Sequence, residues 1–199
     1  MNTPTLQTER LILRKFAKSD IHALFKILSD EEANIFLPWF PIKTLNEAKR
    51  IFKEKYLKKY VPPKGYKWAI CLKSNNIPIG YVHVSNLGDS NDFGYALRKE
   101  FWHKGIVSEA AKAAVEEIKK SNIPYITATH DVKNPRSGNV MKSIGMTYCY
   151  SYEEQWQPKN FPVTFRMYQL NFDGQNDRVY QKYWDNSSVR FVEKENDLR

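Results

Sequence analysis

Phe93-Gly94-Tyr95-Ala96-Leu97, followed by Phe101-Trp102-His103-Lys104-Gly105-Ile106-Val107-Ser108-Glu109-Ala110, is the stretch that decides the fold. It reads as a strand that ends in a short basic loop and opens directly into an amphipathic helix. From Val107 the apolar residues Val107, Ala110, Ala111, Ala114, Val115 and Ile118 recur at i, i+3, i+4, i+7, i+8 and i+11, one helical face. The loop brings His103, Lys104 and Gly105 to the helix N-terminus, where unpaired amides and the positive end of the helix dipole favour a phosphate. Ser108 adds a hydroxyl in the first turn. An ordinary strand–loop–helix connection with a solvated lysine has the same spacing, so spacing alone leaves both readings open.

Working outward, three blocks carry a family resemblance. Trp102-His103-Lys104-Gly105-Ile106-Val107 resembles the pyrophosphate loop of the GNAT superfamily of acyl-CoA-dependent N-acetyltransferases. With Gly94-Tyr95 ahead of it and Ser108-Glu109-Ala110 behind, it is similar to the RimJ/RimL-like branch. Asn134-Pro135-Arg136-Ser137, Val140 and Ile144-Gly145-Met146 resemble a second block of that branch, and Thr8-Glu9-Arg10-Leu11-Ile12-Leu13-Arg14 resembles its first strand. The blocks fall in family order and span roughly residues 6–172. Departures are visible too. Trp102 stands where many members have Arg or Gln, Val107 replaces a small residue, Ser143 a lysine and Met146 a phenylalanine.

The resemblance implies an α/β (α+β) fold: a mixed, mostly antiparallel sheet of about seven strands flanked by helices. It implies acetyl-CoA as co-substrate, held by His103, Lys104, Gly105, Ile106, Val107, Ser108 and Asn134, with the Leu97 N–H as oxyanion donor. Ser137 matches the serine that serves the leaving sulfur; its hydroxyl could equally bond the preceding turn of its own helix. Asn134 faces a similar choice between pantetheine ligand and helix cap. Counted from Ser137, the family's general base falls on Trp156, which accepts no proton. Glu154 shares that strand face, two residues back. Asp92 precedes Phe93-Gly94-Tyr95, and His83 titrates near neutrality when unperturbed. These are the three candidates, with Glu154 first and solvent as the alternative. A site short of a strong base suits an amine of low pKa. Trp39 and Phe40, in the aromatic, proline-punctuated loop Ile35–Pro41, are expected with Trp156 to wall the acceptor.

Composition bounds the rest. The 199 residues fit one domain, residues 1–172, with a C-terminal extension, 173–199, whose Val179, Tyr180, Tyr183 and Trp184 imply packing on the domain or on a second copy in a homodimer. An apolar content of 42% is ordinary for a folded chain. No apolar run approaches membrane-spanning length and the first residues lack a secretion-signal pattern. Cys71 and Cys149 are isolated and have no metal-ligand spacing, which fits buried thiols in a reducing cytoplasm. The formal charge is +9, from 31 basic and 22 acidic residues. That field attracts anionic CoA and leaves ribosome contact open, but no RNA-binding motif accompanies it.

Along the chain, Leu6–Phe16, Lys67–Leu72, Pro78–Val84, Phe93–Leu97, Tyr125–His130, Thr147–Gln157 and Val163–Phe172 read as strands. Ser19 or Asp20 caps one helix, and Thr44-x-x-Glu47 is a capping box opening another. Pro62-Pro63-Lys64-Gly65 reads as a turn, Val107–Ser121 as a helix, and Pro135–Ile144 as a helix ended by Gly145. The expected activity is transfer of acetyl from acetyl-CoA to a primary amine by direct attack, without a metal or a covalent enzyme intermediate. The acceptor is a protein N-terminus, as in ribosomal-protein acetylation, or a small-molecule or antibiotic amine. A non-catalytic acyl-CoA-binding module or an RNA-associated basic domain is the alternative from another class.

Overall fold

The computed structural model describes residues 3–60, 65–85 and 88–198, so Pro62, Pro63 and Lys64 of the expected turn lie outside the described residues. In chain order the elements are β1 (Leu6–Gln7), β2 (Leu11–Arg14), α1 (Ile21–Ser29), α2 (Glu31–Asn34), α3 (Leu45–Ile51), a π-helical stretch (Phe52–Leu57), α4 (Lys58–Tyr60), β3 (Tyr66–Leu72) and β4 (Pro78–Ser85). Then follow β5 (Asp92–Leu97), α5 (Ile106–Ile118), β6 (Tyr125–Asp131), α6 (Pro135–Ser143), β7 (Thr147–Trp156), β8 (Phe161–Asn171), α7 (Lys182–Asn186) and β9 (Arg190–Phe191).

The strands form one sheet in the order β1-β2-β3-β4-β5-β6-β8-β7-β9. Every pairing is antiparallel except β5 with β6. Among the described residues nine strands replace the expected seven or so, for two local reasons. The expected strand Leu6–Phe16 folds back on itself at Thr8–Arg10, where the Thr8 hydroxyl accepts from Leu11 N at 2.9 Å, and it becomes β1 and β2. The ninth, β9, comes from the C-terminal extension and pairs with β7.

Local signals explain the helices that flank the sheet. Thr44 and Glu47 form the expected capping box of α3. Pro135 occupies the first turn of α6, and the chain leaves that helix through Gly145 at φ 88°. One sheet face and α5 and α6 bury Trp68, Ile70, Val82, Phe93, Ala110, Ala114, Ile126 and Met141 between them. The opposite face of β3 and β4 presents Ala69, Cys71 and Tyr81 to α1 and α3, against Leu24, Ile27, Ala48 and Phe52. A third cluster, Tyr150, Tyr152, Val163, Phe165 and Met167 on β7 and β8, is covered by Val179, Tyr180, Tyr183 and Trp184 of the extension. Both thiols are pushed up to about 11 by burial.

Candidate active site

The sheet opens in its middle. A single residue pair, Asp92 with Thr127, joins β5 to β6 in parallel register. Side-chain bonds brace that point: Thr127 Oγ1 donates to Ser90 O at 2.9 Å, and Tyr125 donates to Asp89 O. Beyond it the two strands diverge. Arg98 N donates to Ile79 O at 3.0 Å, towards β4. Because backbone groups alternate sides along a strand, the N–H groups of Tyr95 and Leu97, past the residue pair that joins the strands, point the other way, into the gap. The Leu97 carbonyl, on that same side, accepts from Trp102 Nε1 at 2.8 Å.

The mouth of the gap is built by the loop that precedes α5. Gly105, at φ 69°, is the left-handed N-cap residue of that helix. The first helical bond runs from Glu109 N to Gly105 O at 3.0 Å, which leaves the Ile106, Val107 and Ser108 amides ahead of it at the mouth. Arg10 fixes the loop from behind: its Nε donates to Glu109 Oε2 at 2.7 Å and its guanidinium to Lys104 O at 2.9 Å. A Cβ built on Gly105 would meet only the Arg10 guanidinium, at 3.7 Å, so glycine is required here by the backbone angle more than by space.

Across the gap, Asn134 begins α6 but its side chain makes no capping bond, and it lines the cleft. Ser137 faces Tyr95. The Tyr95 hydroxyl donates to Ser137 O at 2.7 Å, so its 2.9 Å contact with Ser137 Oγ leaves the serine as donor. The cleft encloses about 620 Å³ and runs from this mouth to a floor formed by Tyr81, His83, Asp92 and Gly94 and walls that include Trp39, Tyr152, Glu154, Trp156, Phe165 and Tyr183. Gly94 admits the His83 ring, which lies where a Cβ would sit only 2.7 Å from its nearest carbon.

The profile of the acetyltransferase (GNAT) domain matches residues 10–147. The chain belongs to the GNAT acetyltransferase family. It is 30% identical over 144 residues to the uncharacterized N-acetyltransferase YnaD of Bacillus subtilis, a match covering 71% of this chain and 81% of that one. Its fold is shared with RimL, a ribosomal L7/L12 α-N-protein acetyltransferase solved with coenzyme A: TM-score 0.74, 18% identity, 85% of this chain and 99% of that chain. It is shared equally with the spermidine N-acetyltransferase of Vibrio cholerae solved with CoA and spermine: TM-score 0.70, 13% identity, 82% of this chain and 96% of that one. The first of these two acts on a protein, the second on a polyamine, and their likeness to this chain is one of fold alone.

In this GNAT protein the cleft brings together most of the residues singled out from the sequence: Asp92, Leu97, His103, Gly105, Ile106, Val107, Ser108, Asn134, Ser137, Glu154, Trp156 and Trp39. Two lie elsewhere. Lys104 turns back to donate from Nζ to Glu100 O at 2.8 Å, and Phe40 is 59% exposed, outside the lining.

Electrostatics separates the three base candidates. Burial raises Asp92 from 3.8 to about 6, with Lys67 partly opposing. Burial alone raises Glu154, which stands further out on the sheet. Burial drives His83 down to about 3, so it stays neutral and is a poor proton acceptor. A carboxylate of pKa near 6 is matched to accepting a proton at neutral pH.

Tyr95, Arg10 and Tyr183 were missed as site residues by sequence reasoning. Tyr95 carried a signal, its alternation with Phe93 and Leu97 on a strand directly before the loop. Arg10 and Glu109 stood in two separate motif blocks, and only the fold pairs them. Tyr183 lies in the extension, where nothing in the sequence ties it to the cleft.

Proposed function

We propose that this protein is an acetyl-CoA-dependent N-acetyltransferase acting on a primary amine by direct attack. The opening of the sheet after the Asp92–Thr127 pair carries this reading, because it exposes strand amides beside a helix N-terminus within one cleft. The residues fit the donor: Gly105, Ile106, Val107 and Ser108 would take its pyrophosphate, with His103 alongside. The free edge of β5 and the Asn134 side chain would take its pantetheine arm. Bound there, acetyl-CoA supplies an activated acetyl thioester.

The strand sets the division of labour. Five residues of extended chain, about 16 Å, separate Asp92 from Leu97, so these two do not address one carbonyl. Tyr95 lies between them, and its N–H points into the gap from the same side as that of Leu97. In this reading Leu97 N–H, expected from the resemblance to be the oxyanion donor, holds the arm instead, and Tyr95 N–H polarises the reacting carbonyl. Ser137 Oγ, on the α6 side, swings its one hydrogen bond from Tyr95 OH to the departing sulfur, and solvent protonates the thiolate. Asp92 projects from the other face of β5 and takes the amine's proton through a water. A thiol-release screen over amino-acid amides, peptides, polyamines and aminoglycosides tests the reading. Absence of acetyl-CoA-dependent turnover with every amine would leave only a binding module.

Two variants probe the donor half. Gly105→Val forces a β-branched residue into the left-handed region and is expected to raise the acetyl-CoA Kd at least about tenfold, some 1.4 kcal/mol, in a folded protein. Titration calorimetry on the folded variant reads it directly. Because a thiolate with a solution pKa of about 8.5 is partly protonated by solvent anyway, Ser137→Ala is expected to lower kcat only about ten- to a hundredfold. Acetyl-CoA affinity should hold; steady-state kinetics beside calorimetry separates the two effects.

A further inference from the structure

The acceptor end of the cleft is closed by segments that take no part in holding the donor. Its roof is the stretch from α2 to Pro41. Asn34, 1% exposed, anchors this roof: its amide donates to Leu28 O at 3.2 Å and to Asp30 O at 2.6 Å, and its Oδ1 accepts from Trp39 Nε1 at 3.1 Å. Asp30 accepts from Lys99 N at 3.1 Å, and Lys99 pairs with Glu32, which ties the roof to the end of β5. From the opposite side comes the hairpin between β7 and β8. There Lys159 Nζ donates to Asn34 O at 2.8 Å and to Ile35 O at 3.0 Å, and lies 6.0 Å from the centre of the Trp156 ring. The lysine therefore spans from hairpin to roof, outside Trp39 and Trp156. A third wall is the Tyr183 ring of α7, stacked on Tyr152 at 5.3 Å between ring centres with 7° between planes.

We infer that this bar makes the acceptor end a chamber for a small amine on an aromatic or apolar body, and that Lys159 is the residue that disfavours polypeptide termini. The inference rests on the acetyltransferase reading. Flat aromatic walls give an apolar body its contact area and attract its ammonium group, and Asp92 stands on the floor to deprotonate it. The whole cleft, donor half included, holds about 620 Å³. A six-residue peptide extends to about 20 Å, and on this inference its chain leaves on the side that Lys159 crosses, displacing the two hydrogen bonds of that ammonium group. A single amino-acid amide does not. An α-amine, with a pKa of about 8, also needs only about one unit of deprotonation at neutral pH, against more than three for a lysine side chain.

The test compares phenylalanine amide with an amidated hexapeptide of phenylalanine followed by five alanines. Both present the same reacting amine and first side chain; only length differs. The wild-type protein is expected to favour the short acceptor in kcat/KM by at least about tenfold. Lys159→Ala should shrink that ratio at least about fivefold by raising the rate on the hexapeptide, and Lys159→Arg, which keeps donors at the end of the chain, should restore much of it. Equal use of both acceptors by the wild type, a preference for the hexapeptide, or a ratio untouched by Lys159→Ala overturns the inference. So does turnover of neither probe, and thiol release with another amine in the same preparation would then leave the acetyltransferase reading standing.

Discussion

Asp92→Asn is expected to lower kcat by about a hundred- to a thousandfold while leaving acetyl-CoA affinity within about twofold. The carboxylate sits where β5 last pairs with β6, and burial there has already raised it to about 6. To accept a proton it must be ionised, so wild-type kcat should climb with pH through about 6 and level off above. Asparagine keeps the shape but has no basic lone pair, so that inflection should vanish with the rate. The stability sign runs the opposite way to catalysis. A carboxyl whose folded pKa exceeds its unfolded value of about 3.9 costs stability increasingly between pH 4 and 6, and the cost is complete at pH 7. The asparagine variant should therefore match or exceed the wild-type Tm at pH 7. A kcat within threefold of wild type with the inflection intact would move the base to Glu154 or to water.

Glu193→Ala is expected to cost about 3 kcal/mol, because it breaks an ion pair shielded from water. Arg166 Nε donates to Glu193 Oε1 at 2.9 Å, the two side chains are only 13% and 9% exposed, and Glu193 N donates to Tyr148 OH at 2.9 Å. For a chain of this length that loss corresponds to a Tm drop of about 6–12 °C. Calorimetry checks it. The same substitution should raise the acceptor KM more than the acetyl-CoA KM, because the extension carries Tyr183 on the acceptor side of the cleft. A Tm drop below about 2 °C would mean that β9 and the aromatic cluster hold the extension without this pair.

Much of the scaffold was legible because its signals are local. The α5 stripe, the Thr44–Glu47 box and the Pro135 and Gly145 punctuation each depend on residues within one element or its ends. The break at Thr8–Arg10 was not, because a side-chain bond to Leu11 creates it inside a run that otherwise alternates like one strand. Among the cleft residues, Gly105, Ser108 and Asn134 could be named because a helix N-terminus has a sequence signature, and Ser137 because it matches a residue of the family the sequence resembles. The proton acceptor could not. Asp92, Glu154 and His83 are ordinary titratable residues in the sequence, and only burial in the fold, with Lys67 beside Asp92 and His83, separates them. Lys104 illustrates the converse, since its charge in the motif suggested a ligand while its side chain folds back to Glu100.

The placement of Tyr183 has a consequence in time as well as in space. As the chain leaves the ribosome, the loop at Gly105 and the helix behind it emerge well before α7 and Glu193. On the proposed function, the residues that would hold the donor are thus made before the wall that Tyr183 adds to the cleft. The wall that Tyr183 supplies is the last part of the cleft this polypeptide acquires, and on the proposed function a nick in the extension is expected to weaken acceptor binding before donor binding.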